Sequence, residues 1–156
     1  MKKLLYISFL CLSIACKKSS DPIPDLTSKL VGTYVDIQTD NTFGFKYITT
    51  TKWTVSRVDN DEIKIDHVAV TEIEAPAGYP GTFNPTKPVV SVIDGIKIEK
   101  DDRFAFDRLV EWTSDSDVFK TTVIVDAVLA GRDLDVKINE TTDGATTDDR
   151  VIMKRQ

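Results

Sequence analysis

The sequence predicts an all-β fold, most naturally an up-and-down antiparallel barrel of about eight strands. From Leu30 onward, apolar residues recur at every second position, which is the period of a strand with one buried and one solvated face. Short polar turns separate these segments, and no helical periodicity longer than one turn interrupts them. Successive hairpins close naturally into a barrel, because closure removes exposed strand edges. A two-sheet β-sandwich is the alternative that the pattern leaves open.

The predicted strands follow one another through short connections. In chain order they cover residues 31–37, 46–58, 62–74, 89–93, 96–98, 104–112, 121–129 and 133–139, with a last strand around Val151 and Met153. Asp94-Gly95 is a turn signal between two of these strands. Ala130-Gly131-Arg132 is a tight hairpin connection, in which Gly131 can adopt a positive φ.

Residues 133–139 show the alternation most clearly. Leu134, Val136 and Ile138 fall on one side of the predicted strand, and charged or amide side chains occupy the positions between them. We therefore expect these three apolar side chains to be buried and Lys137 to face water.

The apolar phase changes near His67, within residues 62–74. Ile63 and Ile65 have one parity, whereas Val68 and Val70 have the other. An extra residue in one strand produces such a change, so the sequence predicts a β-bulge near His67.

The first sixteen residues have the layout of a secretory signal. Lys2 and Lys3 precede an apolar run of eleven residues, and the small residue Ala15 stands directly before Cys16. The run is shorter than the roughly 20 residues that span a bilayer. The layout resembles a bacterial lipoprotein signal, which implies cleavage before Cys16 and acyl chains on that residue. An ordinary secretory signal cleaved elsewhere is the alternative.

The lipoprotein resemblance implies three segments: a signal peptide at 1–15, a lipidated tether at 16–25 and a single all-β domain at 26–156. It also implies a protein of the cell envelope, anchored by its acyl chains to the outer membrane, and leaves open which face it occupies. Two or three acyl chains would make the anchor effectively permanent, because one chain alone holds only marginally.

A second resemblance lies where the predicted domain begins. Residues 25–30 favour one helical turn capped by Asp25, and Gly32-Thr33-Tyr34 follows. This order is similar to the start of a lipocalin-type (calycin-like) barrel, where a helical turn closes the base and Gly-x-Trp begins the first strand. Tyr34 stands in place of the tryptophan. The resemblance implies a lipocalin-like barrel with a basic residue near the end of the last strand, either Lys154 or Arg155.

Charge and cysteine count exclude several classes of protein. Removal of Lys2 and Lys3 with the signal leaves 18 basic against 25 acidic residues, a net charge of −7. Such an acidic domain is a poor nucleic-acid binder, and its charge favours solubility. Cys11 would leave with the signal and Cys16 would carry lipid, so disulfides, zinc–thiolate sites and cysteine nucleophiles are excluded.

No catalytic residue, metal site or cofactor is predicted. His67 is the only histidine, and the chain has no Gly-x-Ser-x-Gly motif to accompany nearby Ser56 or Ser91. Acidic pairs such as Asp101/Asp102 fall where turns are expected, and they lack the spacing of a calcium loop. The sequence therefore favours a non-enzymatic protein, with a hydrolase as a remote alternative.

Residues 75–88 (APAGYPGTFNPTKP) stand apart from the other connections in length and composition. They hold four prolines, two glycines and the aromatic pair Tyr79 and Phe83. Long loops of this kind are often functional. Tyr79 and Phe83 are thus the candidate contacts to a ligand or partner, with coverage of the core end as the alternative.

Two functions follow from these features. The first is a lipid-anchored envelope protein that binds a small apolar ligand in its barrel, and the second is an envelope protein–protein adaptor that uses the 75–88 loop. Cavity volume distinguishes them, because a void above about 300 Å³ favours ligand binding and a filled interior favours the adaptor.

Overall fold

The structure is a computed structural model that describes residues 24–156, so the predicted signal peptide and Cys16 lie outside the described residues. Its strands are β1 (Gly32–Thr42), β2 (Phe45–Asp59), β3 (Glu62–Glu74), β4 (Val89–Lys97), β5 (Arg103–Ser114), β6 (Asp117–Ala130), β7 (Asp133–Thr142) and β8 (Ala145–Arg155). They form one closed antiparallel barrel, in which each strand pairs with its neighbours in sequence and β8 returns to β1. The predicted up-and-down barrel is therefore confirmed, and the two-sheet sandwich is not adopted. Among residues 24–156, no helix is long and apolar enough to cross a membrane.

The strand parity predicted for residues 133–139 is confirmed. Leu134 and Val136 are fully buried, Ile138 packs against the core, and Lys137 is exposed. The hairpin at Gly131 is also present, since Ala130 pairs with Asp133 and Gly131 has a φ of 69°.

The predicted β-bulge near His67 is wrong, and so is the turn at Asp94-Gly95. The β2–β3 ladder runs through His67 without a shift. A register shift lies instead in the β3–β4 ladder, where Ile63 pairs with Ile96 and Ile65 pairs with Ile93, so that Asp94 and Gly95 together oppose one residue. Gly95 has a φ of 62°, which accommodates the extra residue in a continuous β4. The bulge keeps both Ile93 and Ile96 facing the core.

The base of the barrel is closed by the turn that precedes β1. Asp25 Oδ1 accepts a hydrogen bond from the Thr27 amide at 3.0 Å, and the Leu30 amide donates to Thr27 O at 2.9 Å. The turn capped by Asp25 is thus present as predicted, and it does not extend into a helix. Leu30 is fully buried, and its carbonyl accepts a 2.9 Å hydrogen bond from the Tyr34 hydroxyl.

Arg155, at the end of β8, covers this base. Its guanidinium lies 5.6 Å from the centre of the Tyr34 ring and donates to Lys29 O at 3.1 Å and to Val31 O. A Cβ atom on Gly32 would lie 2.9 Å from Arg155 Nε, so the glycine leaves room for the guanidinium. Between Lys154 and Arg155, it is therefore Arg155 that contacts Tyr34.

The barrel is joined less tightly at two seams than elsewhere. β1 and β8 pair only at Tyr34↔Arg155 and Val35↔Lys154 within the described chain. The β4–β5 ladder likewise has two pairs, Val89↔Ser114 and Val90↔Thr113. Beyond their pairs at the base, β1 and β8 diverge, and residues 37–42 and 145–150 are exposed on both faces. We call this divergence the β1–β8 gap.

Candidate functional site

The barrel encloses a cavity of about 330 Å³ above the packed base. The volume exceeds the value of about 300 Å³ that separates the two functions considered for this chain. Its lining residues come from all eight strands: Asp36, Gln38, Thr51, Trp53, His67, Ile93, Phe106, Trp112, Val123, Val125, Ile138, Glu140, Thr147, Asp148, Asp149, Val151 and Met153.

Aromatic and aliphatic side chains form one side of this cavity. Trp53 and Trp112, the two tryptophans of the sequence, both line it, together with Phe106. All three side chains are buried, and Val123 and Val125 of β6 continue the apolar surface. Such a wall suits the flat or chain-like apolar body of a small molecule, because apolar area is removed from water when the two meet.

His67 connects the two tryptophans. Trp53 Nε1 donates a 2.9 Å hydrogen bond to His67 Nδ1, and the imidazole packs edge-on against Trp112 with ring centres 4.8 Å apart. Because the indole can only donate, Nδ1 must be unprotonated, and the remaining ring proton of neutral His67 lies on Nε2. Burial lowers the pKa of His67 to about 4, so this side chain is neutral at physiological pH. His67 therefore holds the aromatic wall in place.

Ser91 lies directly across the β3–β4 ladder from His67. Its hydroxyl nevertheless donates to the carbonyl oxygen of Glu111 on β5, at 2.7 Å. This bond closes part of the β4–β5 seam and commits the hydroxyl proton to the backbone. The arrangement is structural and differs from a serine activated by a histidine base, in which the hydroxyl would donate to the imidazole.

Carboxylates form the opposite side of the cavity. Asp36 of β1, Glu140 of β7, and Asp148 and Asp149 of β8 all line it. Burial raises the pKa of Glu140, and the nearby charge of Asp149 raises it further. The interior thus changes from apolar at the base to acidic near the β1–β8 gap.

The β1–β8 gap gives the cavity a lateral opening. Asp36 and Gln38 lie on its β1 side, and Thr147 and Asp149 lie on its β8 side, all of them among the lining residues. Across the gap, Gln38 Nε2 donates a long hydrogen bond of 3.4 Å to Asp149 Oδ2. A single weak side-chain bond of this kind can open at small cost, in contrast to a paired ladder.

Tyr79 and Phe83 lie at the rim of the barrel and are not among the cavity-lining residues. They stack on each other with ring centres 5.6 Å apart, and both contact Phe45 at the start of β2, with ring centres at 5.2 and 5.7 Å. Tyr79 is 46% exposed and Phe83 is 41% exposed. We call Phe45, Tyr79 and Phe83 the rim cluster. Contact between these rings and a ligand or partner remains a prediction.

Within the described part of the chain, no group of three or more His, Cys, Asp or Glu side chains could hold a metal ion.

The sequence contained a signal for this cavity that parity alone did not reveal. On β1, β3, β7 and β8 the inward-facing residues are apolar near the base of the barrel, and the next inward-facing residue away from the base is polar. The pairs are Tyr34 and Asp36, Ile65 and His67, Ile138 and Glu140, and Val151 and Asp149. A polar residue on the dry face of one strand is ambiguous, whereas four of them on strands that surround one interior mark a cavity.

Comparison of the chain with protein-family models, curated proteins and solved structures yields no match.

Proposed function

We propose that this protein is a lipid-anchored, non-enzymatic binding protein of the cell envelope, which holds a small, largely apolar ligand in a lipocalin-like barrel. The observation that carries the proposal is the cavity of about 330 Å³ with its wall of Trp53, Phe106 and Trp112. A pocket of this volume and lining is what small-molecule sites typically have.

The base of the barrel supports the lipocalin-like part of the proposal. That resemblance implies a basic residue near the end of the last strand, and Arg155 packs over Tyr34 of the Gly-x-Tyr segment. A turn before β1 closes the same end.

The position of the base also suits an N-terminal anchor. The Leu26 amide donates to Asn60 O at 2.8 Å, which places the start of the domain beside the β2–β3 turn at the base. Residues 17–25 can span at most about 30 Å when fully extended. An acylated Cys16 would therefore hold the base near the membrane and leave the rim cluster, at the other end of the barrel, free.

Filling the cavity tests ligand binding. The probe is 4-phenyl-1-butanol, a neutral molecule with one ring, and its binding is followed by the emission of Trp53 and Trp112, which both line the cavity. Val123→Phe should weaken probe binding at least tenfold, because the larger ring occupies the cavity. Ile124→Phe, on the outer face of the same strand at a position 45% exposed, is the matched control and should bind as the wild type does.

Thermal melting of both variants shows whether they are folded. A folded Val123→Phe protein that binds the probe as tightly as the wild type would contradict the proposal.

The rim cluster favours a second candidate, an envelope protein–protein adaptor that uses residues 75–88. Aromatic side chains anchor interfaces because they supply contact area at low entropic cost. Lys87 also forms an ion pair with Asp115 in the β5–β6 turn, so the loop is held across the rim.

Replacing both Tyr79 and Phe83 with Ala tests the adaptor. If the rings serve recognition, the double variant should lose about 1 kcal/mol of unfolding free energy or less, as is usual for partly exposed side chains, while partner or ligand capture is abolished. Val90→Ala, at a position 39% exposed on the outer wall, controls for loss of an exposed apolar side chain. A loss well over 3 kcal/mol would instead assign the rings a structural role in covering the core.

A further inference from the structure

The charges around the cavity are all of one sign. Among the described residues that line it, Asp36, Glu140, Asp148 and Asp149 are acidic, and none is Lys or Arg. His67 is neutral at physiological pH because burial lowers its pKa to about 4. One side of the cavity is therefore apolar and aromatic, and the other side carries up to four negative charges.

These carboxylates lack the cationic partners that two outward-facing acids of the same hairpin have. On the same β7–β8 hairpin, Asp133 pairs with Lys154 at 2.8 Å and Asp135 pairs with Arg150 at 2.6 Å. Within residues 24–156, none of the four lining carboxylates forms an ion pair. These two outer acids of the hairpin are thus paired with cations, and the four lining acids are not.

The donors that do reach the lining carboxylates are uncharged. Asn139 Nδ2 donates to Asp148 at 2.5 Å, and Asp149 accepts from the Arg150 amide at 2.8 Å and from Gln38 at 3.4 Å. Such bonds orient the carboxylates without neutralising them. The pKa of Glu140 is consistent with this lack of a nearby cation, because burial and the charge of Asp149 both raise it. A cation placed beside it would act in the opposite direction.

The aromatic wall suits the apolar part of such a ligand. Trp53, Phe106 and Trp112 offer buried apolar area to its body, on the side of the cavity away from the carboxylates. A small hydrated ion would gain little from the apolar side of the cavity, whereas a molecule with an apolar body and a cationic head uses both sides.

We propose that the barrel selects cationic amphiphiles, with the apolar body against Trp53, Phe106 and Trp112 and a protonated amine at the β1–β8 gap between Asp36, Glu140 and Asp149. The inference rests on the proposed function and adds the chemical class of the ligand. The site is the cavity itself, and the carboxylates determine the charge of the molecule that it prefers.

Three probes of equal length test the proposal: 4-phenylbutylamine, 4-phenyl-1-butanol and 4-phenylbutanoate at pH 7.5. Each is titrated into the full-length protein while tryptophan emission is recorded. We expect the amine to bind about tenfold tighter than the alcohol, and the carboxylate to bind weakest. A charge-assisted hydrogen bond in a partly buried site contributes roughly the free energy of a tenfold change in affinity.

Removing two charges from the site should remove this preference. Glu140→Gln combined with Asp149→Asn should bring the amine and the alcohol to about equal affinity, because the charges that distinguish the two probes are gone. The matched control, Glu72→Gln combined with Asp107→Asn, removes one glutamate and one aspartate from exposed positions of β3 and β5 and should keep the preference. The ranking of the probes on the wild-type protein tests the proposal even if a variant does not fold.

The outcomes separate this inference from the function on which it rests. Equal or weaker binding of the amine than of the alcohol would overturn the cationic preference while leaving ligand binding in place. Retention of the amine preference in the Glu140→Gln, Asp149→Asn variant would also overturn it, since the preference would then come from the general acidity of the protein. If none of the three probes binds, the proposed function itself fails.

Discussion

An aspartate in place of Val136 should destabilise the barrel by several kcal/mol. Val136 is fully buried on β7, and a carboxylate there would lose its hydration without gaining a partner. Urea denaturation gives the change in unfolding free energy, with burial of Trp53 and Trp112 as the spectroscopic signal.

Lys137→Asp is the control for this change, one position further along the strand. Lys137 faces water between Asp126 on β6 and Arg150 on β8, so the new carboxylate meets one like and one opposite charge in solvent. We expect an effect of about 0.5 kcal/mol. Equal destabilisation by the two substitutions would be incompatible with a strand that has one buried and one solvated face.

Cys16→Ser should abolish membrane association. The predicted acyl chains are attached at this residue, and each buried methylene contributes about 0.8 kcal/mol to the anchor, so their loss leaves a domain with net charge −7 and little affinity for lipid. Fractionation of cells should move the protein from the membrane to the soluble fraction.

Cys11→Ser is the matched control, because Cys11 lies in the apolar run that cleavage would remove. That variant should remain in the membrane fraction. Mass spectrometry of the wild-type protein should show a mature N-terminus at Cys16 with acyl chains, and an unmodified Cys16 would rule out the lipoprotein interpretation.

The two seams of the barrel have different consequences for ligand access. At the β4–β5 seam, the Ser91 hydroxyl donates to Glu111 O, and Arg108 donates to the carbonyl oxygens of Asp94 and Gly95, so side chains substitute for ladder bonds. At the β1–β8 gap, the long Gln38–Asp149 bond crosses an opening that leads to the cavity. A ligand of the proposed kind would therefore enter at the β1–β8 gap.

The strands and their buried faces could be read from the sequence because both depend on neighbouring residues. Alternation at Leu134, Val136 and Ile138 reports which side of a strand avoids water, and a glycine such as Gly131 marks where the chain reverses. These local preferences agree with the final fold. The bulge was assigned to the wrong strand because a polar residue on a buried face, His67, has the same appearance in the sequence as a change of phase.

The cavity and its charge required the tertiary structure. Tyr34 and Arg155 meet at the base although more than a hundred residues separate them along the chain, and strand periodicity does not determine which residues meet where the barrel closes. Asp36, Glu140 and Asp149 belong to three different strands, and each alone would pass for an ordinary solvated acid. Only when β8 returns to β1 do their carboxylates face the same space as Trp53, because barrel closure places inward positions of distant strands around a shared interior.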